Sequence, residues 1–242
     1  MLERAPGTLE ANQVRSMFDR IAGFYDLLNG VMSAGLHHRW RARAVDLAEV
    51  GPGSRVLDVA TGTGDLALAL ARRVAPGGEI VGSDFSENML ALARRKPRPP
   101  GAEVRFEWGD ALELPYATDS FDAATVGFGA RNFADLGRGL SEMVRVVRPG
   151  GRVVVLDFTT PTRPPLSLFY GVWFDRIVPL LGRLAGDPDA YTYLPRSVKR
   201  FPPPAALAGE LERAGLGEIR YLLTAGGIVT MHAGTVPKDP AP

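Results

Sequence analysis

The chain has 242 residues, with 28 basic and 27 acidic side chains, three histidines and no cysteine. The missing cysteines exclude disulfides, a thiolate nucleophile and Cys-ligated metals, and three histidines argue against a His-rich metal centre, so we expect no metal. A net charge of +1 argues against a protein that coats nucleic acid, because neutralising phosphates needs a basic excess.

We expect a cytoplasmic protein, because the sequence shows neither a secretory signal nor a membrane-spanning segment. The first twelve residues carry charges, a proline and glycine instead of the apolar core of a secretory signal. The longest uncharged stretch, residues 221–237, is interrupted by Gly226-Gly227 and is too short and polar for a membrane-spanning helix. With 45% hydrophobic residues, the chain is expected to fold as one domain over residues 1–242.

A helical pattern opens the chain, from Val14 to Leu47 with an interruption at Asn29 to Gly35. Residues 1–50 are therefore predicted to form a helical lid. From Arg55 onward, strands and helices alternate. Strands are predicted at 55–60, 79–84, 104–108, 121–128 and 153–158. Helices are predicted after the first strand, with Leu66, Leu70 and Val74 on one face, at 87–96 after the N-cap Ser86, and at 135–147.

This alternation predicts an α/β fold with a doubly wound, mostly parallel sheet, whose core is residues 51–160. Residues 161–200, rich in proline and aromatic residues, are interpreted as an insertion. The remaining predicted elements are a helix at 204–214 and strands at 218–224 and 228–234. These last strands flank Gly226-Gly227 and are predicted to pair as an antiparallel hairpin at the sheet edge, within a C-terminal unit of residues 201–236.

The connection after the first strand carries the most information about a ligand, and we call its residues 60–64 the glycine turn. Gly62 and Gly64 let the backbone approach a ligand closely. Asp84 comes 20 residues after Gly64, at the end of the second strand, where an acid can accept hydrogen bonds from ribose hydroxyls. The spacing predicts an adenosine-type nucleotide. It leaves a dinucleotide open, since Gly62-x-Gly64-x-x-Ala67 also matches that fingerprint, and a purely structural turn is the alternative.

Two further features separate these options. Gly109-Asp110-Ala111 follows the third strand and places an acid where an adenine amine can donate to it, and the C-terminal hairpin differs from a plain dinucleotide domain. Together they resemble the class I S-adenosylmethionine-dependent methyltransferases, which implies a seven-stranded sheet. The first glycine of their usual G-x-G-x-G turn is Ala60 here, so this turn must accommodate a Cβ atom.

Several segments closely resemble the ubiquinone/menaquinone biosynthesis C-methyltransferase family, from Val14 to Thr235. They include Phe18–Ala22, Tyr25–Asn29, Thr63–Asp65, Phe128–Asn132, Arg145–Gly151, Asp187–Phe201 and Thr224–Gly227. The resemblance implies transfer of a methyl group from S-adenosylmethionine to a ring carbon of a polyprenylated quinol, 2-demethylmenaquinol becoming menaquinol. A benzoquinol of ubiquinone biosynthesis stays open as the substrate, and the glycine turn alone leaves a nicotinamide-dependent oxidoreductase open.

The resemblance also assigns six residues to the cofactor. They are Gly62, Thr63 and Gly64 at its amino-acid part, Asp84 at its ribose, and Asp110 and Ala111 at its adenine. Arg131 is expected to stabilise the quinolate and Asn132 to orient it, the alternative being a loop salt bridge and an Asx turn. Two acids stay open: Asp58 as a water-mediated contact to the cofactor or a turn former, and Asp65 as a ligand or a helix N-terminal charge.

The apolar tail of such a substrate implies transient contact with a membrane surface, at the inner face of the cell membrane. Residues 38–43, His-Arg-Trp-Arg-Ala-Arg, combine basic and aromatic side chains in a way that suits an anionic interface, with a solvated helix face as the alternative. Tyr191 and Tyr193 are interpreted as lining a prenyl channel or filling the core. A homodimer is compatible with the sequence.

Overall fold

The computed structural model describes residues 35–161, 164, 167 and 188–238. The predictions for residues 1–34 and for most of the insertion lie outside the described residues, and so does the side chain of Tyr191.

The described strands form one seven-stranded sheet with the order β3-β2-β1-β4-β5-β7-β6. They are β1 (Arg55–Val59), β2 (Glu79–Asp84), β3 (Glu103–Trp108), β4 (Phe121–Gly127), β5 (Val147–Phe158), β6 (Gly217–Thr224) and β7 (Val229–Thr235). Strands β1 to β5 pair in parallel, and β7 runs antiparallel to both β5 and β6. The predicted doubly wound α/β fold with a C-terminal hairpin is therefore confirmed.

Six α-helices are described. They are α1 (Leu36–Leu47), α2 (Asp65–Val74), α3 (Glu87–Arg95), α4 (Leu136–Val146), α5 (Pro188–Arg200) and α6 (Pro204–Arg213). Ser86 caps α3 as predicted, because its hydroxyl oxygen accepts a hydrogen bond from the Met89 N–H at 3.2 Å. Asp135 caps α4 in the same way through the Arg138 N–H at 3.0 Å.

Two apolar layers enclose the sheet, because neighbouring residues of a strand point to opposite faces. Val56 and Val154 lie in the layer that α1, α2 and α3 cover, and Leu57 and Val155 lie in the layer that α4 and α6 cover. All four side chains are fully buried, as expected for a parallel sheet covered on both faces. With both faces closed, the carboxyl edge of the strands is the place left for a ligand.

The structure differs from the sequence pattern in three places. Strand β5 already begins at Val147, and its register to β4 shifts after the Phe121–Val147 pair. Residues 188–200, inside the predicted insertion, form α5, for which the sequence showed little periodicity. The hairpin connection is a short 3-10 helix over Ala225–Gly227 in place of a tight two-residue turn.

Helix α1 corrects the interpretation of residues 38–43. The Trp40 side chain is buried and its ring lies 6.2 Å from that of Phe128, so assigning Trp40 to a membrane interface is wrong. Arg41 is buried as well. No helix in the described part of the chain is both long and apolar enough to cross a bilayer.

Candidate functional site

The carboxyl ends of the parallel strands bring the predicted site residues to one edge of the sheet. The chain leaves β1 toward β2 and β3 on one side, while β4 and β5 lie on the other side, so the strand order reverses next to β1. Open α/β sheets bind ligands in the crevice at such a reversal. The glycine turn follows β1, Asp84 ends β2, Asp110 follows β3 and the loop with Arg131 follows β4, so all of them lie at this carboxyl edge.

The glycine turn is bent by three residues with left-handed backbone angles. They are Ala60 (φ +50°), Gly62 (φ +56°) and Gly64 (φ +82°). The Thr61 N–H donates to the carbonyl of Ser83 at 3.0 Å, which ties the turn to β2. A Cβ atom at Gly62 would meet no heavy atom within 4 Å, so the backbone there faces open space. Ala60 places its Cβ in a conformation that costs an L residue about 1–2 kcal/mol.

Gly64 closes the turn against an aromatic ring. A Cβ atom at Gly64 would lie 2.6 Å from Cζ of Phe106, and one at Gly82 would lie 2.7 Å from Cδ1 of the same ring. The ring therefore packs directly against two glycine backbones, and position 64 needs glycine both for its φ and for the space.

Asp84 ends β2 with its carboxylate buried beside the turn. Its Oδ2 accepts a hydrogen bond from the Gly62 N–H at 2.7 Å, and its Oδ1 accepts one from the Ser86 N–H at 2.9 Å. Each carboxylate oxygen carries two lone pairs, so a ribose hydroxyl remains a chemically suitable donor to either. The predicted ribose acid thus also holds the glycine turn and the start of α3.

The Asp58 side chain is buried and contacts the glycine turn. Its Oδ2 accepts from the Thr61 hydroxyl at 2.6 Å and its Oδ1 from the Thr125 hydroxyl at 2.7 Å. Burial raises the pKa of Asp58 to about 6, although these two hydroxyls and the Arg41 charge oppose that rise. The contacts favour the second of the two roles considered for Asp58, that of shaping the turn.

Thr63 and Asp65 meet one lysine. The Lys96 ammonium donates to the Thr63 hydroxyl oxygen at 3.0 Å and to Asp65 Oδ1 at 2.6 Å. Asp65 is the first residue of α2, the position where a negative charge stabilises a helix, and Arg41 of α1 pairs with its other oxygen. Asp65 therefore acts here as a structural charge.

Asp110 and Ala111 follow β3 at the far side of the crevice. Asp110 Oδ1 accepts the Leu112 N–H at 2.9 Å, so its carboxylate stabilises its own loop. The residue is exposed and Ala111 is half-buried. Trp108, the last residue of β3, is 51% exposed and donates its indole N–H to the carbonyl of Phe85 at 3.1 Å.

Arg131 and Asn132 occupy the 3-10 helix Ala130–Asn132 after β4. The Arg131 guanidinium pairs with Asp157 Oδ1 at 2.7 Å, and the backbone N–H of Arg131 donates a hydrogen bond to Asp157 Oδ2 at 3.1 Å. Both side chains are almost completely buried, and the guanidinium lies 5.4 Å above the Phe158 ring. The loop salt bridge considered for Arg131 is therefore present. The Asn132 carbonyl oxygen accepts the Tyr193 hydroxyl at 3.0 Å.

Sequence reasoning missed the partners of these residues. Asp157 and Tyr193 are 26 and 61 residues away from the side chains they bind, and Tyr193 belongs to α5, where no periodic signal was found. Pairing Lys96 with Thr63 also spans 33 residues. Only the folded sheet edge brings such residues together. No group of three or more His, Cys, Asp or Glu able to hold a metal is found within the described residues.

The site fits a nucleoside cofactor with an amino-acid tail. The open backbone at Gly62 is a cradle that a side chain would fill, and Asp84 offers acceptors beside it. Together with the reversed strand β7, these features define the class I fold of S-adenosylmethionine-dependent methyltransferases. A solved S-adenosylmethionine-dependent methyltransferase from Thermotoga maritima has this fold, with a TM-score of 0.62 at 21% identity, covering 93% of this chain and 99% of that one.

The chain belongs to the ubiE/COQ5 methyltransferase family, which it matches over residues 7–236. It is 51% identical to a demethylmenaquinone methyltransferase of Thermus thermophilus, over 91% of this chain and 100% of that protein. It is 39% identical to the ubiquinone/menaquinone biosynthesis C-methyltransferase UbiE of Teredinibacter turnerae, over 93% and 92% of the two chains. The predicted family and the predicted S-adenosylmethionine cofactor are thereby confirmed.

Proposed function

We propose that this protein methylates a ring carbon of 2-demethylmenaquinol with S-adenosylmethionine, giving menaquinol. The observation that carries the proposal is a class I site with an open glycine turn in a chain 51% identical to a whole demethylmenaquinone methyltransferase. When bound, S-adenosylmethionine supplies a methyl group on a sulfonium, already activated for attack by an electron-rich carbon. The net reaction forms a bond between the ring carbon and the methyl group, breaks the S–CH3 bond to leave the thioether S-adenosylhomocysteine, and releases the ring hydrogen as a proton, so no metal or covalent enzyme intermediate is required.

On the cofactor side, we assign six residues. They are Gly62, Thr63 and Gly64 at the amino-acid part, Asp84 at the ribose, and Asp110 and Ala111 at the adenine. Support comes from the open space above Gly62 and from Asp84, whose carboxylate is held in place by two backbone N–H groups before any ligand arrives. A fixed acceptor loses little conformational freedom when a ribose hydroxyl donates to it.

On the quinol side, we assign Arg131 to stabilising the negative charge of the quinolate and Asn132 to orienting the ring. The buried ion pair with Asp157 fixes the position of the Arg131 guanidinium. Because the Tyr193 hydroxyl donates to the Asn132 oxygen, the amide orientation of Asn132 is fixed too. Donors that are already placed before reaction stabilise developing charge without reorganisation.

The deciding experiment incubates the protein with S-adenosylmethionine carrying a labelled methyl group and with reduced quinol analogues. One analogue is a demethylmenaquinol and the other is the corresponding benzoquinol of ubiquinone biosynthesis. We expect the label on the naphthoquinol ring by mass analysis. Label on the benzoquinol alone would place the enzyme in ubiquinone biosynthesis, and tight binding of NAD without methyl transfer would refute the methyltransferase reaction.

We also propose transient contact between α1 and the anionic inner face of the cell membrane, where a prenylated substrate is found. Leu36 is 40% exposed, and His38, Arg39 and Arg43 are exposed along the same helix. Basic side chains beside an apolar one favour an anionic surface. Co-sedimentation with anionic vesicles should fall in the variant Arg39→Glu/Arg43→Glu and persist in Arg213→Glu on α6. Failure of the unmodified protein to bind vesicles of any composition would refute the contact.

We further propose a homodimer formed through β6. Strand β6 is one of the two edge strands among the described residues, with β7 as its neighbour, and its side chains Tyr221, Leu222 and Leu223 are 42%, 41% and 55% exposed. An open strand edge presents unpaired N–H and C=O groups, and the β6 edge of a second copy can pair with them. Analytical ultracentrifugation should show a dimer that Leu223→Glu converts to a monomer. A monomeric unmodified protein at micromolar concentration would refute it.

A further inference from the structure

A polar junction lies where α1, α2 and α3 meet beside the glycine turn. Asp65, the first residue of α2, pairs with Arg41 of α1 at 2.9 Å through Oδ2 and with Lys96 at the end of α3 at 2.6 Å through Oδ1. Lys96 also donates to the Thr63 hydroxyl oxygen inside the turn at 3.0 Å. One carboxylate therefore joins three helices to the turn.

The junction is partly shielded from water, which makes its charges interdependent. The Arg41, Asp65 and Lys96 side chains are 10%, 27% and 23% exposed. Burial alone would raise the pKa of Asp65, but Arg41 and Lys96 outweigh it and hold that pKa below its usual value. Asp65 is thus ionised at neutral pH. His37, one turn before Arg41 on α1, also contributes to lowering the pKa of Asp65.

Helix α2 has no side-chain N-cap, and the Asp65 carboxylate stabilises its first turn instead. Gly64, the N-cap of α2, provides no side-chain hydrogen bond to the free N–H groups of the first turn. The end of the glycine turn is therefore held by the Asp65 carboxylate and its two cations. Burial is the main influence on the pKa of Asp58 and raises it, while the Arg41 charge lowers it. Asp58 in turn accepts a hydrogen bond from the Thr61 hydroxyl of the glycine turn.

We propose that Arg41 is a positioning residue for the cofactor site: through Asp65 it couples docking of α1 to the conformation of the glycine turn. Binding of S-adenosylmethionine and seating of α1 then strengthen each other by the same factor, as linkage requires. This inference rests on the proposed use of the glycine turn as the cofactor site.

The structure offers a matched control between the same two helices. Arg73, in the last turn of α2, pairs with Asp46 near the end of α1, and these side chains are 43% and 46% exposed. This second ion pair joins α1 to α2 as the first does, but at the end of α2 away from the glycine turn. If ion pairing merely held α1 in place, loss of the Arg73–Asp46 pair would also weaken cofactor binding, by a smaller amount because this pair is more exposed.

The experiment measures the affinity for S-adenosylmethionine by titration calorimetry in five proteins. They are the unmodified protein, Arg41→Gln, Asp65→Asn, the double variant Arg41→Gln/Asp65→Asn, and the control Arg73→Gln. We expect each junction variant to weaken binding about tenfold, within the usual range of coupling between two sites, and the double variant to be no weaker than the worse single one. Arg73→Gln should change the affinity by less than about twofold.

A second readout is hydrogen exchange, whose main comparison uses the unmodified protein with and without the cofactor. In the unmodified protein, S-adenosylmethionine should slow hydrogen exchange of the α1 amides, and Arg41→Lys, which keeps the charge, should retain part of that protection. Equal losses of affinity in Arg41→Gln and Arg73→Gln, or α1 exchange that the cofactor leaves unchanged, would overturn the inference. No binding by the unmodified protein would instead refute the proposed function itself.

Discussion

Gly129 and Ala60 lie so close together at the crevice that substitutions at these two positions can test how tightly this edge of the sheet is packed. A Cβ atom placed on Gly129 would lie 2.6 Å from the Cβ of Ala60 and 3.2 Å from Cγ2 of Val126. Two carbon atoms pack best at about 3.5–4.0 Å, so Gly129→Ala forces an overlap of about 1 Å. Gly129 has φ −112° and ψ −28°, which alanine adopts freely, so the cost is steric.

We expect Gly129→Ala to reduce the free energy of unfolding by about 1–3 kcal/mol, the usual cost of overpacking. Ala60→Gly alone should change it little, because release of the left-handed strain of about 1–2 kcal/mol is offset by the greater freedom of glycine in the unfolded chain. In the double variant, the 2.6 Å contact is removed, so Ala60→Gly should restore most of the stability lost in Gly129→Ala.

The measurement is urea unfolding of the four proteins, analysed as a double-mutant cycle. We expect a favourable coupling of about 1–2 kcal/mol between the two positions. The control is Gly209→Ala in α6, where an added Cβ atom meets no heavy atom within 4 Å, and which should stabilise the protein by about 0.5–1 kcal/mol. Additive effects of Gly129→Ala and Ala60→Gly would show that the two backbones do not press on each other.

Three further predictions concern the same edge of the sheet. Tyr193→Phe removes the hydroxyl that fixes Asn132, so it should lower kcat for demethylmenaquinol about tenfold and leave the affinity for S-adenosylmethionine unchanged. A variant with weaker S-adenosylmethionine binding and an unchanged kcat would contradict this prediction. Burial raises the pKa of Asp58 to about 6, so its contribution to stability should be complete below pH 4 and fall by about 3 kcal/mol as the pH rises through 6. Urea unfolding across this pH range should show that fall in the unmodified protein and not in Asp58→Asn. Gly64→Ala adds a clash with Phe106 to a left-handed φ, so it should lower the free energy of unfolding by more than Gly62→Ala does. Gly62→Ala should cost more free energy of cofactor binding than free energy of unfolding. Equal losses of unfolding free energy in the two variants would contradict this.

The order of strands and helices was predictable because it depends on local patterns. Val56 and Leu57 belong to a short apolar run of the kind that forms a buried parallel strand, and Ser86 is a strong N-cap before a helical pattern. The ligand edge followed from the spacing of Gly62, Gly64 and Asp84, since turns after parallel strands meet at one edge.

What could not be predicted depends on contacts between distant residues. The sequence around Trp40 is basic, and nothing local distinguishes an interfacial tryptophan from one that packs near Phe128. Arg131 offered two interpretations with equal support, and only the position of Asp157 in the folded sheet shows its ion pair. Asp65 could be recognised as a helix N-terminal charge, but its link to Arg41 needs the packing of α1 against α2.

Asp84 has a consequence for the thermodynamics of binding. Its two carboxylate oxygens accept hydrogen bonds from the Gly62 and Ser86 N–H groups, so one side chain holds both the turn after β1 and the loop after β2. A ligand that arrives there meets a surface whose shape is already set, and the ordering entropy of both loops has been lost during folding instead of during binding. The crevice should therefore bind its cofactor with little change in backbone order along β1 and β2, leaving α1 as the element whose order responds.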